Sequence, residues 1–101
     1  MKNGLHIDKD GNKRRYKDNI LHCNDGPAAE LNDGTKMWCA NGKRHRTDGP
    51  AIEYADGSKS WFLEGECLGF NDEGFWLLWD RLTDEQRNNL NLLMHLPGVQ
   101  R

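Results

Sequence analysis

The sequence predicts an α+β fold, in which an antiparallel β-hairpin meander of 23-residue repeats precedes a C-terminal helical segment of one or two helices. Two observations carry this prediction. Asp25-Gly26-Pro27-Ala28 recurs 23 residues later as Asp48-Gly49-Pro50-Ala51, and a fixed period in this range marks a repeat architecture. From Asp72 onward the apolar residues change to helical spacing. We expect one compact domain, with the β-repeat sheet over residues 1–71 and the helical segment over residues 72–101.

The repeat extends well beyond the Asp-Gly-Pro-Ala motif. Several further positions recur at the same interval: Glu30 and Glu53, Asp33-Gly34 and Asp56-Gly57, Lys36 and Lys59, Trp38 and Trp61, His22 and His45. One period upstream, Asp10-Gly11 and Lys13 still fit, and Arg15 stands in the Trp position. The chain therefore contains two clear units and one worn unit.

The turns of the meander are predicted from Gly-containing dipeptides. Asp-Gly and Asn-Gly between strand-length segments are strong hairpin signals. They occur here with one weaker relative, in the order Asp33-Gly34, Asn41-Gly42, Asp56-Gly57 and Glu64-Gly65. Proline has no N–H for a central ladder, so each Gly-Pro should mark a bend between repeats.

Two-residue loops at these turns would fix the strand register. Around Asp56-Gly57 and Glu64-Gly65 they predict a cross-strand row that joins Ile52, Trp61 and Leu68. The preceding repeat would form the equivalent row Ala29–Trp38–His45. Both rows describe a structural ladder of the kind that stabilises sheets through cross-strand pairs. Because both sheet faces carry apolar side chains, at least one face needs a cover.

The C-terminal segment can supply that cover. An apolar stripe at helical spacing contains Phe75, Leu78, Trp79 and Leu82. Thr83 and Gln86 have the spacing of a capping box, and a following helical stretch runs to about Leu96, with Leu90, Leu93, Met94 and Leu96 as its apolar residues. Pro97-Gly98 should end it. Trp76 and Leu77 fall outside the main stripe, and so wide an apolar arc is typical of a helix between two surfaces or with a face for a partner.

Composition and charge exclude several classes of function. The net charge of −2 argues against a generic nucleic-acid binder. The mean hydropathy is −0.94, and no apolar stretch approaches membrane-spanning length, so we expect neither membrane insertion nor a secreted protein. Cys23, Cys39 and Cys67 lack metal-ligand spacing and indicate reduced thiols in the cytoplasm. We expect no metal and no cofactor.

The repeat unit resembles the MORN-like repeats found in many proteins of tailed bacteriophages. Residues 25–46 match the pattern closely, residues 48–66 match it through Trp61, and residues 5–22 keep only part of it. The resemblance covers roughly residues 5–69. It implies a β-hairpin meander, a phage origin and a location in the host cytoplasm, and repeats of this family act as interaction modules without catalytic residues.

Three classes of function follow. The leading hypothesis is a small non-enzymatic phage protein that binds, and inhibits by occlusion, a bacterial host protein such as a defence or regulatory component. The alternatives are an oligomeric sponge for a small nucleotide signal and a structural or scaffolding repeat module. An enzyme is disfavoured, because His22, His45, Glu30 and Glu53 recur with the repeat and a duplicated position is typical of a structural role.

Partner-binding candidates are chosen by residue type, since Trp and Arg are enriched at binding hot spots. The candidates are Trp38, Arg44, His45, Arg46, Trp76, Arg14 and Arg15. Core packing is the competing interpretation for every Trp, and it is the better one for Trp61 and Trp79. Arg44 and Arg46 could instead belong to a solvated edge or pair with nearby acids.

Overall fold

A computed structural model describes residues 2–24 and 26–97. Asp25 of the first Asp-Gly-Pro-Ala motif and Gly98 of the predicted helix stop lie outside the described residues. Within them the secondary-structure elements are β1 (Gly4–Ile7), β2 (Lys13–Lys17), β3 (Ile20–Leu21), β4 (Ala29–Glu30), β5 (Lys36–Met37), β6 (Cys39–Ala40), β7 (Lys43–Arg44), β8 (Ile52–Glu53), β9 (Lys59–Leu63), β10 (Glu66–Phe70), α1 (Asn71–Arg81), α2 (Asp84–Arg87) and α3 (Leu90–Leu93).

The predicted α+β fold is confirmed. In the described part of the chain, one antiparallel sheet has the strand order β1-β2-β4-β5-β8-β9-β10, with β3 also paired to β2. The strands β6 and β7 form a separate two-stranded ladder. The helices follow the sheet in sequence, as the change of apolar spacing at Asp72 predicted.

Each repeat unit supplies three successive strands. The first unit is β1-β2-β3 and the third is β8-β9-β10. In the second unit, β5 and β6 are separated by Trp38 alone and together take the place of the middle strand, between β4 and β7. The first strand of each later unit pairs with the middle strand of the unit before it, as β4 does with β2 and β8 with β5. The worn first unit is therefore structurally complete, although its sequence keeps few of the repeated residues.

The Asp-Gly turns are one residue longer than predicted. The Tyr54 N–H donates to the Ser58 carbonyl at 2.9 Å, and the Gly57 N–H donates to the Tyr54 carbonyl at 3.0 Å. These bonds enclose a three-residue loop that ends in Gly57, whose φ is 91°. Such a loop combines a type I turn with a left-handed glycine, and Asp-Gly suits it as well as it suits a two-residue turn. The two-residue loop predicted at Asp56-Gly57 is therefore wrong.

The Asn-Gly and Glu-Gly turns are two-residue loops, as predicted. Both loop residues have positive φ, 52° and 83° at Asn41-Gly42 and 47° and 88° at Glu64-Gly65, which is the type I′ geometry. The first unit forms the same turn at Asp18-Asn19, with φ of 52° and 70°. Sequence reasoning missed that turn because it contains no glycine.

The longer Asp-Gly loops shift the cross-strand rows. Ile52 lies opposite Ser60 and not Trp61, and Ala29 lies opposite Met37 and not Trp38. A bulge between Cys67 and Gly69 then places Gly69, and not Leu68, opposite Trp61. Only the Trp38–His45 half of the predicted rows is present, where the His45 N–H donates to the Trp38 carbonyl at 3.0 Å.

The core lies between the last hairpin and the helices. Its buried residues are Trp61, Phe75, Leu78, Leu82 and Leu92. Trp61, which is 1% exposed, is confirmed as core, and Trp79 packs half-buried against the same cluster. A Cβ on Gly74 would overlap Trp61 Cδ1, so α1 approaches the sheet closely enough to require glycine at that position.

The second helical stretch is broken, and the break changes which residues are buried. The predicted capping box is present, because Thr83 Oγ1 accepts from the Gln86 N–H at 3.2 Å and the Gln86 side chain accepts from the Thr83 N–H. Asn89 then caps a new short helix, which resets the helical period. Leu92 enters the core, whereas Leu90 and Met94, predicted as apolar contacts, are 79% and 70% exposed.

We expect His95 to make folding stability fall on mild acidification. Its ring packs edge-on to Trp61, with 6.0 Å between the ring centroids. Burial, followed by the charge of Arg46, lowers the pKa of His95 below the ordinary 6.5. Lys59 acts in the same direction, whereas Glu53 and Asp48 oppose the shift. Because the unfolded chain takes up this proton first, the stability present above pH 6.5 is lost as the pH falls below that value, by at most about 1.4 kcal/mol per pH unit.

Urea unfolding at pH 7.5 and pH 5.5 measures this effect. His95→Gln should lose less stability between the two pH values than the wild type does. The control His6→Gln, at an exposed position of β1, should keep the wild-type pH dependence. An unchanged pH dependence in His95→Gln would contradict the assignment.

Candidate binding surfaces

Arg46, one of the predicted partner-binding residues, is buried and connects two repeats. Its Nη1 donates to the Pro50 carbonyl at 3.1 Å and to Glu53 at 2.9 Å, and its Nε donates to Asp48 at 2.8 Å. Its guanidinium also lies 3.8 Å from the centroid of the Trp38 ring. Arg46 is 9% exposed, and its guanidinium is engaged by acceptors of its own chain.

Arg15 makes the same connection one unit earlier. Its Nη1 donates to the Pro27 carbonyl at 3.2 Å and to Glu30 at 3.0 Å, the residues that precede Pro50 and Glu53 by one period. Yet Arg15 stands in the repeat position of Trp38, not in that of Arg46. We call this pair of bonds, from one guanidinium to a Pro carbonyl and a Glu carboxylate, the guanidinium bridge. Glu30 and Glu53 therefore accept hydrogen bonds beside the Gly-Pro bends, which is a structural role of the kind that their duplication predicted.

The position of Arg46 explains why residue 49 is a glycine and why Asp48 stays ionised. A Cβ on Gly49 would lie 2.6 Å from Arg46 Cζ, whereas a Cβ on Gly26 would meet nothing within 4 Å. Burial alone would raise the pKa of Asp48, but hydrogen bonds from Arg46 and Asn91 outweigh it and the pKa is lowered. Asp48 therefore stays charged next to Arg46.

Each of the two duplicated histidines accepts a hydrogen bond from a turn of the following unit. His22 Nδ1 accepts from the Asn41 N–H at 3.0 Å, and His45 Nδ1 accepts from the Glu64 N–H at 2.9 Å. Each bond joins the last strand of one unit to the two-residue turn of the next. A lone pair used in this way is not available to a substrate proton or a metal.

Trp38, His45 and Arg46 share an open groove of about 520 Å³. The groove also contains Asn91, whose Nδ2 donates to Asp48 at 3.1 Å and so joins α3 to the loop between β7 and β8. Cys39 borders the groove as well, and burial raises the pKa of its thiol, only partly offset by the charge of Arg44. The groove therefore presents a ring already covered by a guanidinium, together with amide and imidazole groups.

The remaining basic candidates are tied to neighbouring side chains. Arg44 is exposed on β7 and lies 5.7 Å from the centroid of the Phe62 ring. Arg14 on β2 pairs with Asp8 at 3.1 Å, and both side chains are more than a third exposed. Neither residue is among those that line the groove.

Trp76 is the predicted candidate that stands out as an uncovered apolar side chain. It is 46% exposed on α1, next to Leu77 at 40%. We define the α1 outer face by five exposed residues, Asp72, Glu73, Trp76, Leu77 and Asp80. Sequence reasoning singled out Trp76 but missed the three acids, although their helical spacing around it was visible.

The described residues offer no further chemical centre. Within 2–24 and 26–97, no group of three His, Cys, Asp or Glu side chains is placed to hold a metal ion. No disulfide joins the three cysteines, all of which the structure describes. None of the helices in these ranges is both long and apolar enough to cross a membrane.

Gly49→Ala and Gly26→Ala form a matched test of the guanidinium bridge. We expect Gly49→Ala to cost about 1–3 kcal/mol, because Arg46 must move away from partners that hold it on several sides. Gly26→Ala, at the same repeat position, should change stability by no more than about 0.5–1 kcal/mol. Chemical denaturation measures both values, and equal losses would contradict the role assigned to Arg46.

Comparison with known proteins gives no relative for this chain. No family model, no curated protein and no solved structure matches it. Two surfaces bring predicted partner-binding residues to a groove or to an exposed apolar face, and these are the Trp38 groove and the α1 outer face.

Proposed function

We propose that this chain is a non-enzymatic binding protein that docks another protein through the α1 outer face. The observation that carries the proposal is the exposure of Trp76 and Leu77 beside each other on a helix whose opposite side is packed into the core. Exposed aromatic side chains on a rigid element are typical binding anchors. The close approach of α1 to Trp61 at Gly74 makes the helix such an element.

The residues that could have supported catalysis have structural bonds. Glu30 and Glu53 receive the guanidinium bridges, and His22 and His45 accept backbone N–H groups. General acid–base catalysis needs a group that can exchange a proton with a substrate. These bonds favour a binding function over an enzymatic one.

The resemblance to MORN-like repeats of phage proteins is the basis for our proposal about which partner is bound. It favours a bacterial host protein in the host cytoplasm, with inhibition by occlusion as the effect. The small size of the chain is compatible with this mode, because a standard interface needs only about 800 Å² from each partner.

The nucleotide-sponge alternative rests on the Trp38 groove and has less support. Base stacking needs an open ring face, but one face of Trp38 is covered by Arg46 at 3.8 Å. A phosphate site needs an available cation, and Arg46 is already bound to Asp48 and Glu53. Arg46 could bind a phosphate in this groove only after the guanidinium bridge between the second and third units opened.

Affinity capture from bacterial lysate tests the proposal when it is done with variants. Tagged wild type should retain one stoichiometric protein. Trp76→Ala should bind that protein with about 30-fold lower affinity, which is the effect of losing a hot spot of about 2 kcal/mol. Leu90→Ala is the matched control, because Leu90 is 79% exposed but lies on α3. It should bind as the wild type does.

Thermal unfolding of Trp76→Ala checks that the variant is folded before capture is compared. Retention of the same protein by folded Trp76→Ala, or retention of nothing by the wild type, would contradict the proposal. A small molecule released on heating together with an empty capture would favour the sponge.

A further inference from the structure

Several partly buried aromatic rings carry a cation of the chain itself, and the more exposed ring of Trp76 does not. Four rings are each approached by a cation of the chain itself, with distances to the ring centroid of 5.1 Å for Lys2 and Tyr16, 3.8 Å for Arg46 and Trp38, 5.7 Å for Arg44 and Phe62, and 5.6 Å for Arg87 and Trp79. Trp76 is more exposed than any of these rings and has no such cation among the described residues. Its ring lies edge-on to the rings of Phe75 and Trp79.

The charged residues one helical turn before and after Trp76 on α1 are all acidic. On α1, Asp72 lies four residues and Glu73 three residues before Trp76, and Asp80 lies four residues after it. Residues at these spacings are neighbours on a helix, with about 5–6 Å between Cβ atoms. All three acids are exposed. No ion pair engages them within residues 2–24 and 26–97, where Arg81, the basic residue of α1, pairs instead with Glu66 at 3.3 Å.

An aromatic face surrounded by carboxylates attracts a cation twice over. The ring binds it through its quadrupole, by about 0.5–1 kcal/mol at an exposed site, and the three carboxylates add Coulombic attraction. The same carboxylates repel phosphate groups, so this surface is unsuited to nucleic acid. Arg fits better than Lys because a planar guanidinium stacks on a ring and bonds carboxylates through two N–H groups at once.

We propose that the α1 outer face receives an arginine side chain from a basic segment of the partner protein. The inference rests on the proposed function and adds the chemistry of the partner. The incoming guanidinium lies over Trp76, as Arg46 lies over Trp38, and bonds to the flanking carboxylates, while Leu77 contacts the apolar stem of the same segment. The partner thus supplies to Trp76 a cation of the kind that the chain itself places over Tyr16, Trp38, Phe62 and Trp79.

A direct test uses defined peptides and the indole N–H signal of Trp76. In a ¹⁵N-labelled sample this cross-peak is assigned by its loss in Trp76→Phe. Titration with hexa-arginine should shift it saturably, and the same peptide built from citrulline, which is neutral and nearly isosteric, should not. Added salt should weaken the effect, because exposed charges are screened.

Charge-matched variants separate local from general electrostatics. Asp72→Asn/Glu73→Gln/Asp80→Asn should bind hexa-arginine on the order of tenfold more weakly, since each lost charge pair is worth up to about a kcal/mol. Asp18→Asn/Glu64→Gln/Glu85→Gln has the same net charge but alters acids in turns and on α2, and should bind as the wild type does. Thermal unfolding confirms that both triple variants are folded.

The outcomes distinguish this inference from the proposed function. Equal shifts with arginine and citrulline peptides, or equal affinities of the two triple variants, would overturn the arginine assignment even if lysate capture still depended on Trp76. A Trp76 signal that moves on simple dilution of the protein would also overturn it, because a second copy of the chain would then occupy the face. If hexa-arginine binds as expected but the wild type captures nothing, the inference holds and the host-protein proposal fails.

Discussion

The guanidinium bridge is the interaction on which the rest of the sheet depends. In both junctions between units, one guanidinium binds a Pro carbonyl and the Glu three residues later. It adds side-chain bonds where the short first strand of one unit pairs with the preceding unit through two residue pairs of the ladder. The arginines come from different repeat positions, which are filled by Arg15 and Cys23 in one unit and by Trp38 and Arg46 in the next. The guanidinium therefore occupies the same place at both junctions, although it belongs to a different repeat position in each unit.

The sheet ends where this bridge is no longer made. Gly69 stands one period after Arg46, and β10 continues past it to pair with the start of β9, the edge that a further unit would otherwise occupy. Trp61 stands one period after Trp38, but Phe75 of α1 packs against it at 5.6 Å in place of a guanidinium. The helix therefore replaces the next repeat, and its other side remains open to solvent. The surface proposed for binding is a consequence of how the repeat array is closed.

Much of this architecture was accessible from sequence, and the exceptions have physical causes. The period, the type I′ turns, the capping box and the burial of Trp61 follow from local rules that hold regardless of context. The Asp-Gly register failed because that dipeptide suits two loop lengths, and the burial of Leu92 was missed because Asn89 resets the helical period. The repeat pattern could not show that Arg15 and Arg46 make the same bonds. Aligning the repeats compares residue positions, whereas the bridge depends on where a guanidinium lies in space.

A double-mutant cycle in the first unit tests most directly whether the place of the guanidinium, and not its sequence position, joins the repeats. Arg15→Trp alone should destabilise the chain, because the Pro27 carbonyl and Glu30 lose their donor. Adding Cys23→Arg recreates the arrangement of Trp38 and Arg46, and the open space over Gly26 leaves room for the side chain. We expect the pair to recover most of the lost stability, with a coupling energy of about 1–3 kcal/mol in urea unfolding. Additive losses from the two substitutions would contradict the account.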